Sequence, residues 1–282
     1  MLDLMIPAIV AALVILSIHA YLGLHVIARE VIFVDLAFAQ IAALGSTVAL
    51  LMGIEAGSTT SLVFALAFTL IGALIFSFTR MENSPVPQES IIGIVFVVSS
   101  ATVILLAGLT AEGAEHVRET MTGALIWVDW QTIARMSAVF VSVGAFHFLF
   151  RKQLLRASFR SDHTHPVKLW DFLFYASLGI VISFSVEVAG VLMVFSSLVI
   201  PAVIAFLYTN RFIKALLIAW GSGTFAIVAG IGASFAWDLP TGPLLVCVFG
   251  AVLVVAAALR PLLGVRSRGK ILVSISGDEE AS

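Results

Sequence analysis

Charge is what this sequence has least of. Only 11% of its 282 residues are Asp, Glu, Lys or Arg, where a soluble domain carries about 25%. Hydrophobic residues make up 61%, and the mean hydropathy is +1.12. A globule in water would leave much of that apolar surface exposed, so lipid is the solvent this composition fits. Cysteine is nearly missing as well: Cys247 is the single one, which excludes a disulfide framework and a Cys-based metal cluster. A net charge of −2 offers no basic surface for nucleic acid. No HExxH, no nucleophile elbow and no paired intramembrane carboxylates are legible, which argues against an enzyme. Gly264 to Lys270 matches most of a phosphate-binding loop, but Ile271 stands where Ser or Thr is required and a membrane span precedes it. The chain is therefore expected to bind no ATP and no other cofactor itself. Asp3 precedes the first apolar run, with no basic region and no small-residue cleavage site, so that run reads as a retained span.

What is present is a series of long apolar runs. A helix needs roughly 20 such residues to cross about 30 Å of hydrocarbon. Candidate spans lie near 4–26, 31–53, 60–79, 90–110, 132–150, 171–187, 191–209, 214–236 and 242–263. The fold class is thus all-α integral membrane, with about nine transmembrane helices. Eight is the alternative, because only Val188-Ala189-Gly190 separates the sixth and seventh runs, which could form one span plus a broken or half-inserted helix. With the N-terminus outside, thirteen of the fifteen Lys and Arg residues fall on the inner side and only Arg118 and Arg135 on the outer. That asymmetry orients the protein with its C-terminus cytoplasmic. Residues 1–270 form one membrane domain, interrupted most by the basic loop 151–170; 271–282 is a short polar cytoplasmic tail.

Ionisable groups inside hydrocarbon are functional candidates by default. In the second span, Gln40 lies roughly 14 Å in from Val31, near the midplane, and Asp35 only about 6 Å in, within reach of interfacial water or Arg29. The two are about 140° apart around the helix and cannot easily share a ligand. Gln40 lines a pathway or hydrogen-bonds between helices; Asp35 reads as an ion-pair partner more than a ligand. His19, His25 and His147 read first as histidines hydrogen-bonded between helices, with metal binding the alternative. Glu187, at the outer turn, is explained by solvation, and His163-Thr164-His165 is a weak metal motif.

Four segments together resemble the permease subunits of metal-ion ABC importers, the family that moves zinc, manganese or iron. They are Gln88 to Phe96 (QESIIGIVF), Met121 to Trp130 (MTGALIWVDW), Val188 to Ala202 (VAGVLMVFSSLVIPA) and Gly232 to Gly242 (GASFAWDLPTG). They occur in the family's order and cover nearly the whole membrane region. The resemblance implies a fold similar to the vitamin B12 importer permeases and a homodimer in the cell (inner) membrane. It also implies separate cytoplasmic ATPase subunits that carry the ATP, and an extracytoplasmic metal-binding protein. Loop 151–170 becomes the candidate coupling element, with Arg156, Arg160 and Asp162 as candidate contacts to the ATPase.

The second span departs from the family's Asp-x-x-x-His pattern. Aligned on Gly45, Leu36 takes the Asp position and Gln40 the His position, while Asp35 is one residue out of register. The usual metal site is therefore absent or rebuilt, and the metal itself is left unknown. Gln40, Asp35 and His19 are the candidates for lining the path. Two alternatives remain open: the same scaffold moving a metal chelate or other small solute, and a non-transporting membrane protein.

Overall fold

The computed structural model describes residues 2–80, 86–109, 113–159 and 167–262. Among them every regular element is helical: α1 (Leu2–Ala28), α2 (Val34–Leu51), α3 (Thr59–Thr79), α4 (Gln88–Ala107), α5 (Gly113–Thr122), α6 (Trp130–Leu149), α7 (Arg151–Phe159), α8 (Val167–Tyr208), α9 (Phe212–Trp237) and α10 (Thr241–Leu262), with one 3₁₀ turn at Leu125–Trp127. Eight of these helices are long and apolar enough to cross a membrane. The all-α membrane expectation is met. The loop residues 160–166 and the tail after Leu262, and with them Arg160, Asp162, His163 and His165, lie outside the described residues.

Local chemistry sets the helix ends. Ser58 starts α3 by accepting the Ser61 N–H at 3.2 Å, and Asp129 starts α6 by accepting the Thr132 N–H at 2.6 Å. That hydrogen bond holds the Asp129 carboxyl below its ordinary pKa. At the end of α9, Asp238 adopts a left-handed conformation (φ 52°) and Pro240 follows.

The longest element, α8, is broken at Gly190 (φ 73°, ψ 160°). His19 shows that the chain reverses there. Its Nδ1 lies 2.9 Å from Ser197 Oγ and its Nε2 lies 3.0 Å from Ser185 Oγ. Two hydroxyls on opposite sides of one imidazole are about 8 Å apart at most, whereas 12 residues of unbroken helix rise about 18 Å. Following α1 from His19 towards Arg29, its partners descend from Ser185 to Asp171 on one limb and ascend from Ser197 to Ala202 on the other. The limbs, 167–189 and 191–208, are therefore antiparallel. The sixth and seventh apolar runs each become a traverse, so the eight helices make nine crossings.

Following the helix directions, the molecule has two chemically distinct ends. Arg29, Arg80, Arg151, Lys152, Arg156, Lys168, Arg211, Lys214 and Arg260 fall at one end, and Arg118 and Arg135 at the other. α2 is the most enclosed of the shorter spans, while α10 keeps most of its surface outward.

Candidate functional site

At the end poor in basic residues, a cavity of about 270 Å³ opens between α2, α3, α5 and the first limb of α8. Ala43, Ser46, Ser61, Ser183, Glu119 and Glu187 line it. Each element presents a small or polar residue: Ser183 Oγ rests on the Gly179 carbonyl at 2.9 Å and meets Thr69 Oγ1 at 3.0 Å. Glu187 also walls a smaller space of about 50 Å³ that Arg135 lines as well. Solvation, the sequence-level account of Glu187, is thus half of its setting, since it is exposed yet belongs to a carboxylate-bearing vestibule. Nearby on α5, the Arg118 guanidinium hydrogen-bonds Glu115 and holds that carboxyl below its ordinary range.

Gln40 does not line this vestibule but lies deeper on the same helix, α2. It is three residues before Ala43, about 60° round α2 and about 4.5 Å deeper, and it is 3% exposed. His19 is fully buried, and serine hydroxyls of the two α8 limbs occupy both of its ring nitrogens. Of the other intramembrane histidines, His147 bonds Ser177 at 2.8 Å and Tyr21 at 3.3 Å, whereas His25 bonds Ser158 at 2.8 Å through Nδ1 and leaves its buried Nε2 without a partner. These are bonds between helices, as the residues alone suggested. Among the described residues no group of three or more His, Cys, Asp or Glu side chains is arranged to hold a metal ion.

Asp35 is 1% exposed and does not pair with Arg29. Its Oδ1 accepts the Leu36 N–H at 2.7 Å, while its Oδ2 is buried without a hydrogen-bond partner. Arg29 instead donates to Asp171 Oδ1 at 2.6 Å, and Arg80 donates to the same oxygen at 2.7 Å. Both arginines also grip α7: Arg29 Nε donates to Ser158 Oγ at 2.8 Å and Arg80 to the Ala157 carbonyl at 3.0 Å. The Arg29 guanidinium sits 4.0 Å from the centre of the Phe174 ring. Asp171 therefore joins α1, α3, α7 and α8 at the basic end. The residue pattern left Asp171 unassigned. The available signal was a carboxylate at the head of an apolar run, WDFLFYASLG. Arg156, on α7, is partly buried, and its Nε has no hydrogen-bond partner among the described residues.

Residues 1–260 match the ABC 3 transport family. The chain belongs to that family. ABC 3 members are membrane transport subunits rather than enzymes. The chain is 25% identical over 269 residues to the manganese transport system membrane protein MntC of Halalkalibacterium halodurans, covering 93% of this chain and 89% of that one. It is 25% identical over 191 residues to the chelated iron transport system membrane protein YfeD of Yersinia pestis, covering 66% and 64%. Its fold is similar to that of PsaBC from Streptococcus pneumoniae, solved in complex with Fab (TM-score 0.73, 21% identity, 89% of each chain). It is also similar to that of an inward-facing metal-chelate type ABC transporter (TM-score 0.66, 18% identity, 90% and 85%). The ABC 3 fold here thus carries the Asp171 junction and the vestibule above Gln40.

Proposed function

We propose that this ABC 3 protein is the membrane permease of an importer for a divalent transition metal ion: manganese, iron or zinc. The observation that carries the reading is the polarity of the molecule. A vestibule bearing Glu119 and Glu187 stands above Gln40 at one end, and a short helix held to the core by Asp171 stands at the other. Carboxylates concentrate cations at the entrance. In this reading the basic end is the cytoplasmic one, with the N-terminus outside and the C-terminus inside the cell.

In this reading an extracytoplasmic binding protein delivers the ion to the vestibule, and two permease copies and separate ATPase subunits complete the machine. The ATPases press on α7, with Arg156 as a contact and Arg160 and Asp162 as further contacts. Gln40 and Asp35 line the path, and the neutral amide favours passage over tight coordination. His19 aligns the two α8 limbs beside it. The other chains hydrolyse ATP; this one conducts.

The test is cellular metal uptake with Glu187→Gln and Gln40→Ala. Each is expected to lower uptake about tenfold, the effect of losing roughly 1.4 kcal/mol of ion stabilisation. Uptake unchanged in both variants would remove this assignment. Arg156→Glu is expected to weaken co-purification of the ATPase subunit while leaving the permease monodisperse.

A second reading, transport of a metal chelate, draws on the size of the vestibule. About 270 Å³ holds far more than a bare ion, since a water molecule takes about 30 Å³. ATPase activity of the assembled complex stimulated by an organic chelate, and not by metal-loaded binding protein, would select it.

A further inference from the structure

The structure brings together two carboxylates that are far apart in sequence and whose pairing the residue pattern did not reveal. Asp35 lies in the first turn of α2 and Glu89 in the first turn of α4. Glu89 Oε1 accepts the N–H of Phe33 at 3.0 Å, which sets its carboxylate beside the start of α2, two residues before Asp35. Each carboxylate spends one oxygen on backbone amides at this helix start. The other oxygen of each, Asp35 Oδ2 and Glu89 Oε2, is buried and has no hydrogen-bond partner.

Buried carboxylate oxygens without donors are expensive, and two like charges side by side are more so. The cations at the neighbouring helix ends do not relieve them, because Arg29 and Arg80 are both held on Asp171. We propose that Asp35 and Glu89 form a binding site for a hard divalent cation at the basic end of the bundle, separate from the vestibule and Gln40. A divalent ion cancels both charges and gives the two orphan oxygens a partner. No third His, Cys, Asp or Glu joins them among the described residues, so backbone carbonyls or water complete the sphere. An all-oxygen set of that kind suits manganese-like ions over zinc or copper.

Binding at this site does not depend on the importer reading; its use as a last station for the cargo does. The isosteric amides Asp35→Asn and Glu89→Gln remove the charge yet keep the carbonyl oxygen that accepts the backbone N–H. The probe is Mn²⁺, added to the purified full chain in lipid nanodiscs and followed by electron paramagnetic resonance and by thermal unfolding. The wild type is expected to show saturable Mn²⁺ binding and a rise in melting temperature, both lost in either variant and both kept in Gly232→Ala, where an added carbon meets nothing within 4 Å. Unaltered Mn²⁺ binding in the two amide variants, with all samples monodisperse, overturns the proposal; so does a wild type that binds no Mn²⁺, which would leave a shared proton as what reconciles the pair. Cellular uptake, measured in parallel, separates this result from the importer reading, since either can fail without the other.

Discussion

Asp171→Ala is expected to leave little folded protein. Arg29 and Asp171 are each 1% exposed at the side chain, and Arg80 is 30% exposed. Removing the carboxylate leaves a guanidinium buried with no counter-charge. Breaking a buried pair in this way costs about 3–5 kcal/mol, a large part of a typical stability of 5–15 kcal/mol. Asp171→Asn should fall between, because its carbonyl oxygen can still accept from one arginine. Thermal unfolding of the detergent-purified chain, with the yield of monodisperse material, reads both. The decisive comparison is the double variant Arg29→Met with Asp171→Leu. If the loss comes from an unpaired charge, this apolar replacement recovers much of the stability. Equal loss in the single and double variants would mean that steric fit, and not charge, holds the junction.

Gly190→Ala is the second substitution with a large expected effect. At φ 73° and ψ 160° the residue occupies a region that is essentially glycine-only, and a side chain there costs about 1–3 kcal/mol. A β-carbon would also stand 2.6 Å from the Thr122 carbonyl carbon, 2.8 Å from the Met121 oxygen and closer still to Gly123 N. These are backbone atoms with nowhere to go. Gly123 (φ 70°) faces Ala189 in the same manner, and the Ala124 N–H donates to the Val188 carbonyl at 3.1 Å, so two glycines let two backbones meet at the reversal. Gly190→Val should be worse than Gly190→Ala. Gly232→Ala, in α9 where an added carbon meets nothing within 4 Å, should be tolerated. The idea fails if Gly190→Ala unfolds at the same temperature as Gly232→Ala.

The spans were legible because hydropathy is a property of short stretches, and the interruption at Val188 to Gly190 could be read from a glycine after an acidic residue. What could not be read was pairing across the bundle. Arg29 is six residues from Asp35 and 142 from Asp171, yet it binds Asp171. Sequence distance ranks those partners the wrong way, because α1 packs along the first limb of α8 while the turn at Glu30 (φ 58°) carries the chain away into α2. Asp35 and Glu89 were invisible as a pair for the same reason. The vestibule escaped notice because residues from four elements build it, mostly small ones that are not distinctive alone, and only the fold brings Glu119 and Glu187 to it. His19 was singled out as an intramembrane polar residue, and both of its nitrogens prove to be engaged with serines. Its burial was legible; its partners were not.

Those partners have a consequence for how the protein is made. The bonds of His19 span 166 and 178 residues. At ribosomal speeds of about 5–20 residues per second, the second serine emerges roughly 10–35 s after the histidine. Throughout that interval the first helix sits in the bilayer with its imidazole facing lipid or stray water. Among the described helices, α1 is thus inserted before the others and is among the last to be completed.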